Sequence, residues 1–119
     1  MKLIIAGSRT IHLSVSDLDT IIQTYFDVSK ITEVVSGKAR GIDQTGIDWA
    51  VTKGIPVTEF IPDWSSKGKA AGHIRNREMG DYADEALVIY NGSSGSQGMI
   101  DYMKHLGKNC IVVLFPDSM

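Results

Sequence analysis

Several stretches of this chain are apolar at consecutive positions rather than at alternate ones, and that pattern leaves few folds open. The runs are Leu3–Ala6, Glu33–Ser36, Pro56–Phe60, Ala86–Tyr90 and Cys110–Phe115. Strands of this kind are buried on both faces, as in a parallel sheet covered by helices. Between them the apolar residues recur at helical spacing. Leu18, Ile21, Ile22, Tyr25 and Phe26 form one stripe, with Ser16 and Asp19 resembling a capping box at its start. Ile47, Ala50 and Val51 form a second, with Asp43 as candidate N-cap and Gly54 as stop signal. Residues 70 to 82 form a third, and Met99, Met103 and Leu106, ended by Gly107, a fourth. The connection from Ile61 to Gly72 is the longest and most loop-like.

Strands and helices therefore alternate. With right-handed crossovers this order predicts an α/β fold, a doubly wound Rossmann-like domain over residues 1–119. The expected sheet has five strands, mainly parallel, in the order 3-2-1-4-5, with helices on both faces. In such a sheet a ligand sits outside the carboxyl ends of the strands, where the chain reverses between strands 1 and 4.

Composition narrows the function classes. The formal net charge is −2, which argues against a duplex nucleic-acid partner but not against a local pocket for one small anion. Cys110 is the single cysteine, so no internal disulfide forms and a cytoplasmic location is expected. The apolar start is too short for a signal peptide, and no stretch is long enough to span a membrane. No His or Cys spacing suits a metal, and no cofactor is required.

Three strand ends run into loops of small residues. Gly7-Ser8-Arg9-Thr10 follows the first strand, where backbone amides and Arg9 suit phosphate oxygens; a tight turn with a surface arginine fits equally well. Ser36-Gly37-Lys38-Ala39-Arg40-Gly41-Ile42-Asp43 follows the second and opens a helix whose N-terminus favours an anion. There the glycines also fit plain turn geometry, and Lys38 and Arg40 read as solvated. Asn91-Gly92-Ser93-Ser94-Gly95-Ser96-Gln97-Gly98 follows the fourth; its place at the switch point favours a phosphate cradle over a flexible loop with a serine cap. It lacks the lysine of a P-loop. A further segment, Lys69 to Met79, places Arg75 in an otherwise apolar helical stripe. That charge needs a partner, either a ligand anion or a carboxylate such as Asp84, unless the side chain snorkels to the edge of the stripe. Trp64 suits either loop packing or stacking on a base.

These motifs, in this order, resemble the SLOG superfamily and most closely its small YspA-like branch. The resemblance rests on Gly7-Ser8-Arg9, on Val35 to Asp43, on Trp64 with Gly68-Lys69-Ala70-Ala71-Gly72, on Ile74-Arg75-Asn76-Arg77-Glu78-Met79 and on Ala83-Asp84. It covers nearly the whole chain. It implies a Rossmannoid fold that binds nucleotides or nucleotide-derived molecules, NAD- and ADP-ribose-related ones included, and a homo-oligomer, a dimer or tetramer. Related proteins include the LOG phosphoribohydrolases, which cleave the N-glycosidic bond of nucleoside monophosphates, ligand sensors of bacterial and phage conflict systems, and the DNA-binding DprA proteins.

The carry-over from LOG enzymes is partial. Arg75 matches the arginine of their arginine–lysine pair, while Asn76 stands where lysine is expected. Their P-G-G-x-G-T-x-x-E loop corresponds to the segment from Gly92, with Gly95 matching the third glycine and Ser96 replacing threonine. The catalytic glutamate position is Met99, which cannot serve as acid, base or oxocarbenium stabiliser.

The expected function is therefore binding: sensing or sequestering a nucleotide-derived ligand, NAD- or ADP-ribose-like or a cyclic signalling nucleotide. The expected contacts are Gly7, Ser8 and Arg9; Ser36, Gly37, Ala39, Gly41 and Asp43; Trp64, Lys69, Arg75 and Asn76; and Asn91, Gly92, Ser94, Gly95 and Ser96. Of these, Gly37, Ala39 and Gly41 are expected to let the ligand approach closely. The alternative is an N-glycosidase in which Arg75 works with Asp43, Asp84 or a neighbouring subunit's residue in place of the missing glutamate.

Overall fold

Strand β1 (Lys2–Gly7) is covered from both sides, with Leu3, Ile4 and Ile5 fully buried, and it sits in the middle of the sheet. The computed structural model describes residues 1–115, so residues 116–119 of the expected domain lie outside it. The other strands are β2 (Glu33–Ser36), β3 (Val57–Glu59), β4 (Glu85–Tyr90) and β5 (Asn109–Leu114). All neighbours pair in parallel, in the order β3-β2-β1-β4-β5. Fold class, strand order and handling of the core match the sequence expectation, and strand ends shift by a residue or two.

The register sorts the core into two layers. Ile5 lies beside Leu87 and Ile4 beside Ala86, so successive residues of β1 and β4 face opposite sides. Leu3, Ile5, Leu87 and Ile89 pack under α1 (Val15–Tyr25) and α2 (Ile42–Lys53). Ile4, Ala6, Ala86 and Val88 pack under α4 (Ala71–Tyr82) and α5 (Ser94–His105).

Helix details differ from the expectation in instructive ways. The N-cap of α1 is Ser14, whose hydroxyl accepts from the Asp17 amide at 3.0 Å, so Ser16 and Asp19 form no capping box. Asp19 instead accepts from the indole nitrogen of buried Trp49 at 2.9 Å and pairs with Lys53 at 3.1 Å, clamping α1 to α2. The N-cap of α2 is Gly41 rather than Asp43, because Asp43 lies inside the first turn. The buried face of α2 is Ile42, Gly46, Trp49 and Ala50; Val51 of the expected stripe is 69% exposed. Gly54 ends the helix in the left-handed region, as expected. The connection read as loop holds a helical turn, α3 (Trp64–Lys67), and a 3-10 turn over Gly68–Ala70. Among the described residues no helix is long and apolar enough to cross a membrane.

Gly46 shows how closely α2 rides on β1, since a Cβ there would lie 2.8 Å from Ile5 Cγ2. Gly46→Ala is expected to cost about 1–3 kcal/mol through overpacking. Gly95→Ala, where a Cβ meets nothing within 4 Å, should not destabilise the fold. Urea unfolding of the two variants beside the parent checks this contrast.

Candidate functional site

The crossover after β1 leads to one face of the sheet and that after β4 leads to the other, which parts the chain at their carboxyl ends. A cleft of about 470 Å³ opens there, within the range of small-molecule sites. Its walls come from the loop after β1, the start of α2, the α3–α4 segment and the first turn of α5.

The loop after β1 is tied down by its own chain. The Ser8 amide donates to the Ile89 carbonyl at 3.3 Å and the Thr10 amide to the Ser8 hydroxyl at 3.3 Å. The expectation that this loop offers a row of open amides is therefore corrected: Ser8 and Thr10 spend theirs internally. Arg9 is exposed and lines the cleft. Thr10 also lines it and accepts from Asn91 Nδ2 at 3.0 Å, joining the loops after β1 and β4.

The loop after β2 holds an internal charge network. Asp43 is buried, and its carboxylate accepts from the Ala39 amide at 3.2 Å at the start of α2. It thus occupies the anion-favouring end of that helix with the chain's own charge. Burial pushes the Asp43 carboxyl up from its ordinary 3.8, while the Ala39 amide, the Arg75 charge, the Gly7 amide and the Arg9 charge act the other way. Arg75 reaches this network from α4, donating to the Gly37 carbonyl at 2.7 Å and to Asn76 Oδ1 at 2.9 Å. Burial lowers its pKa, and the Asp43 charge opposes that shift.

Two glycines are explained by these contacts, and not by ligand approach as expected. A Cβ on Gly37 would lie 2.8 Å from an Arg75 guanidinium nitrogen. Gly41 has φ +70 and a Cβ there would lie 2.6 Å from the Ser8 carbonyl oxygen. Both positions give room to the protein's own groups. Lys38 also has positive φ, at 56°, and its ammonium pairs with Glu59 at 3.0 Å.

The first turn of α5 is different. Its N-cap, Ser93, makes no side-chain cap bond; its hydroxyl lies 2.9 Å from that of Ser96. Gln97 is the first residue whose amide bonds back to the Ser93 carbonyl, at 3.0 Å. Ser94, Gly95 and Ser96 line the cleft, so the amide-rich end of a twelve-residue helix faces it. Asn76 Nδ2 donates to the Gly95 carbonyl at 3.3 Å, fixing α4 against this turn.

Of the residues singled out in the sequence, Gly7, Ser8, Arg9, Ala39, Asp43, Trp64, Lys69, Arg75, Asn76, Ser94, Gly95 and Ser96 line the cleft. Ser36, Gly37, Gly41, Asn91 and Gly92 are not among the residues that line it. Asp84 is at the other end of the sheet, where its carboxylate accepts from the Lys2 amide at 2.7 Å; it neither pairs with Arg75 nor reaches the cleft. Thr10, Gly72 and Ser93, which lie inside the motifs singled out in the sequence but outside the expected contacts, also line the cleft, as does exposed His73. Their place within those motifs was the available signal. Met99 is buried at the cleft floor within the core.

A family model described as the YspA, cpYpsA-related SLOG family matches residues 1–66. No curated protein and no solved structure matches the chain.

The raised Asp43 pKa fixes the sign of a pH effect. The folded protein holds this proton more tightly than the unfolded chain does, so its contribution to stability is complete below 3.8 and is lost as pH rises through the folded pKa. The stability of the parent relative to Asp43→Asn should therefore fall across that window and level off above it. Melting temperatures of both proteins against pH test this, and a relative stability that rises with pH would contradict it.

Proposed function

The chain belongs to the YspA, cpYpsA-related SLOG family, and from that premise we propose that it is a binding protein for a nucleotide-derived, phosphate-bearing ligand. The cleft at the carboxyl ends of β1 and β4 is the site. One observation carries this reading: the first turn of α5 faces the cleft without a side-chain cap, with the Arg9 side chain on the same cavity. Helix-end amides and a guanidinium are complementary to phosphate oxygens in both charge and geometry. The start of α2 already holds Asp43, so the phosphate goes to α5. NAD- or ADP-ribose-like molecules and cyclic signalling nucleotides have the required chemistry, and the role is to sense or sequester them.

Met99 supports holding over cutting. Its thioether occupies the floor where hydrolysis of a glycosidic bond would need a carboxylate. A second reading has one observation in its favour. Asp43 is the carboxyl group lining the cleft among the described residues, and burial favours its protonated form, as suits a general acid in an N-glycosidase.

Calorimetric titration with nucleoside monophosphates, ADP-ribose and cyclic nucleotides tests the binding reading, and no heat from any of them at high micromolar concentration would overturn it. Arg9→Ala should weaken binding by about 1.5–3 kcal/mol, the worth of a charged hydrogen bond. It is the cleaner probe, because Arg75→Ala would also strip the Gly37 carbonyl of its donor and remove a positive charge that acts on buried Asp43. Chromatography for released base separates the two readings: base release abolished in Asp43→Asn would favour the enzyme.

A further inference from the structure

A second cavity adjoins the cleft. A groove of about 550 Å³ runs between the outer faces of α4 and α5, and His73 and Asn76 belong to the walls of both cavities. Two glycines of α5 lie at their boundary, Gly95 in the wall of the cleft, where its carbonyl accepts from Asn76, and Gly98 in the wall of the groove. A Cβ on Gly95 would meet nothing within 4 Å, and a Cβ on Gly98 would meet His73 Nδ1 alone, at 3.9 Å. Neither glycine has a positive φ, so no backbone strain calls for them. Their absent side chains leave space at the boundary between the two cavities.

The groove offers surfaces suited to a flat ring. Tyr102 and His105 lie nearly parallel, with centroids 6.1 Å apart and an angle of 30° between planes. Tyr102 is held in place from α4: its hydroxyl donates to Asp81 at 2.6 Å, and its ring lies where a Cβ on Gly80 would be. Its position is therefore set before any ligand arrives. Arg77 shares the wall and takes part in neither of the ion pairs formed among the described residues. Aromatic faces beside a guanidinium form a stacking platform for a base and a donor for its ring nitrogens or carbonyls.

We infer that the α4–α5 groove is a second subsite of the same ligand site, and that it takes a second planar, hydrogen-bonding ring, beyond the one nucleoside and the phosphate held in the cleft. The ligand is then two-ended, of the dinucleotide class, and a mononucleotide fills only half of the trough. This rests on the cleft's binding a phosphate-bearing nucleotide.

The test uses the full chain and calorimetric titration with adenosine monophosphate, NAD and diadenosine diphosphate. At least one of the two-ended probes should bind about tenfold or more tightly than the monophosphate, the order of one stacked base. Gly98→Leu fills the groove beside His73 and His105→Ala removes an exposed ring, and each should bring that probe down to the monophosphate's affinity while leaving the monophosphate unchanged. His105 lies outside the core, so its variant remains informative should Gly98→Leu fail to fold. Monophosphate binding with no gain for either two-ended probe, or a gain that survives both substitutions, overturns the second subsite and leaves the cleft reading standing. No binding by any probe removes both.

Discussion

Arg75 leaves α4 on one face of the sheet, passes over the carboxyl end of β2 and donates to the Gly37 carbonyl at 2.7 Å. Much of the site is arranged around that reach. Gly37 has no side chain because the guanidinium lies where a Cβ would be. Asp43, at the start of α2 on the opposite face, supplies the negative charge that makes a half-buried arginine tolerable. Asn76, next on α4, accepts from the same guanidinium and passes the constraint to α5 through the Gly95 carbonyl. One side chain thus couples the β2 loop, α2, α4 and α5, which belong to both layers of the fold.

That coupling separates two helix ends that look alike on paper. Both α2 and α5 begin in small-residue loops at the carboxyl edge of the sheet, and both lack a side-chain N-cap bond. At α2 the chain fills the favourable potential with its own Asp43, an arrangement that balances Arg75 and Arg9. At α5 the serine hydroxyls of Ser93 and Ser96 turn toward each other, and the helix end is left to face the cleft. The two ends therefore differ: the start of α5 shares the cleft with Arg9, while the start of α2 presents a carboxylate. Met99 below contributes shape and apolar surface, with no acid or base to act on a bond.

Much of this was legible in the sequence, and the misses have a common cause. Consecutive apolar residues in Leu3–Ala6 and Ala86–Tyr90 announce strands covered on both sides, and short crossovers leave little freedom in strand order. The Gly-Ser-rich loops mark the functional edge, because small residues accumulate where backbones must approach. What those residues approach was misread. Gly37 and Gly41 make room for Arg75 and for the Ser8 carbonyl, contacts between segments distant in sequence. Asp84 was a reasonable partner for Arg75 by proximity along the chain, yet β4 begins just after it and carries it to the far end of the sheet. Trp49 and Asp19 give no local sign of meeting, since their hydrogen bond exists only once α1 and α2 pack side by side.

The sequence by itself determined the α/β architecture, the strand order, the edge at which a ligand would sit and most residues of its wall, because periodicity and glycine placement act locally and repeat along the chain. Tertiary structure alone decided that the Ser8 and Thr10 amides are spent on Ile89 and Ser8, that the charge acting on Arg75 is Asp43 rather than Asp84, and that a groove between α4 and α5 adjoins the cleft. Those outcomes depend on charges and carbonyls brought within a few ångströms of each other from separate crossovers, and no local pattern of residues encodes such a distance.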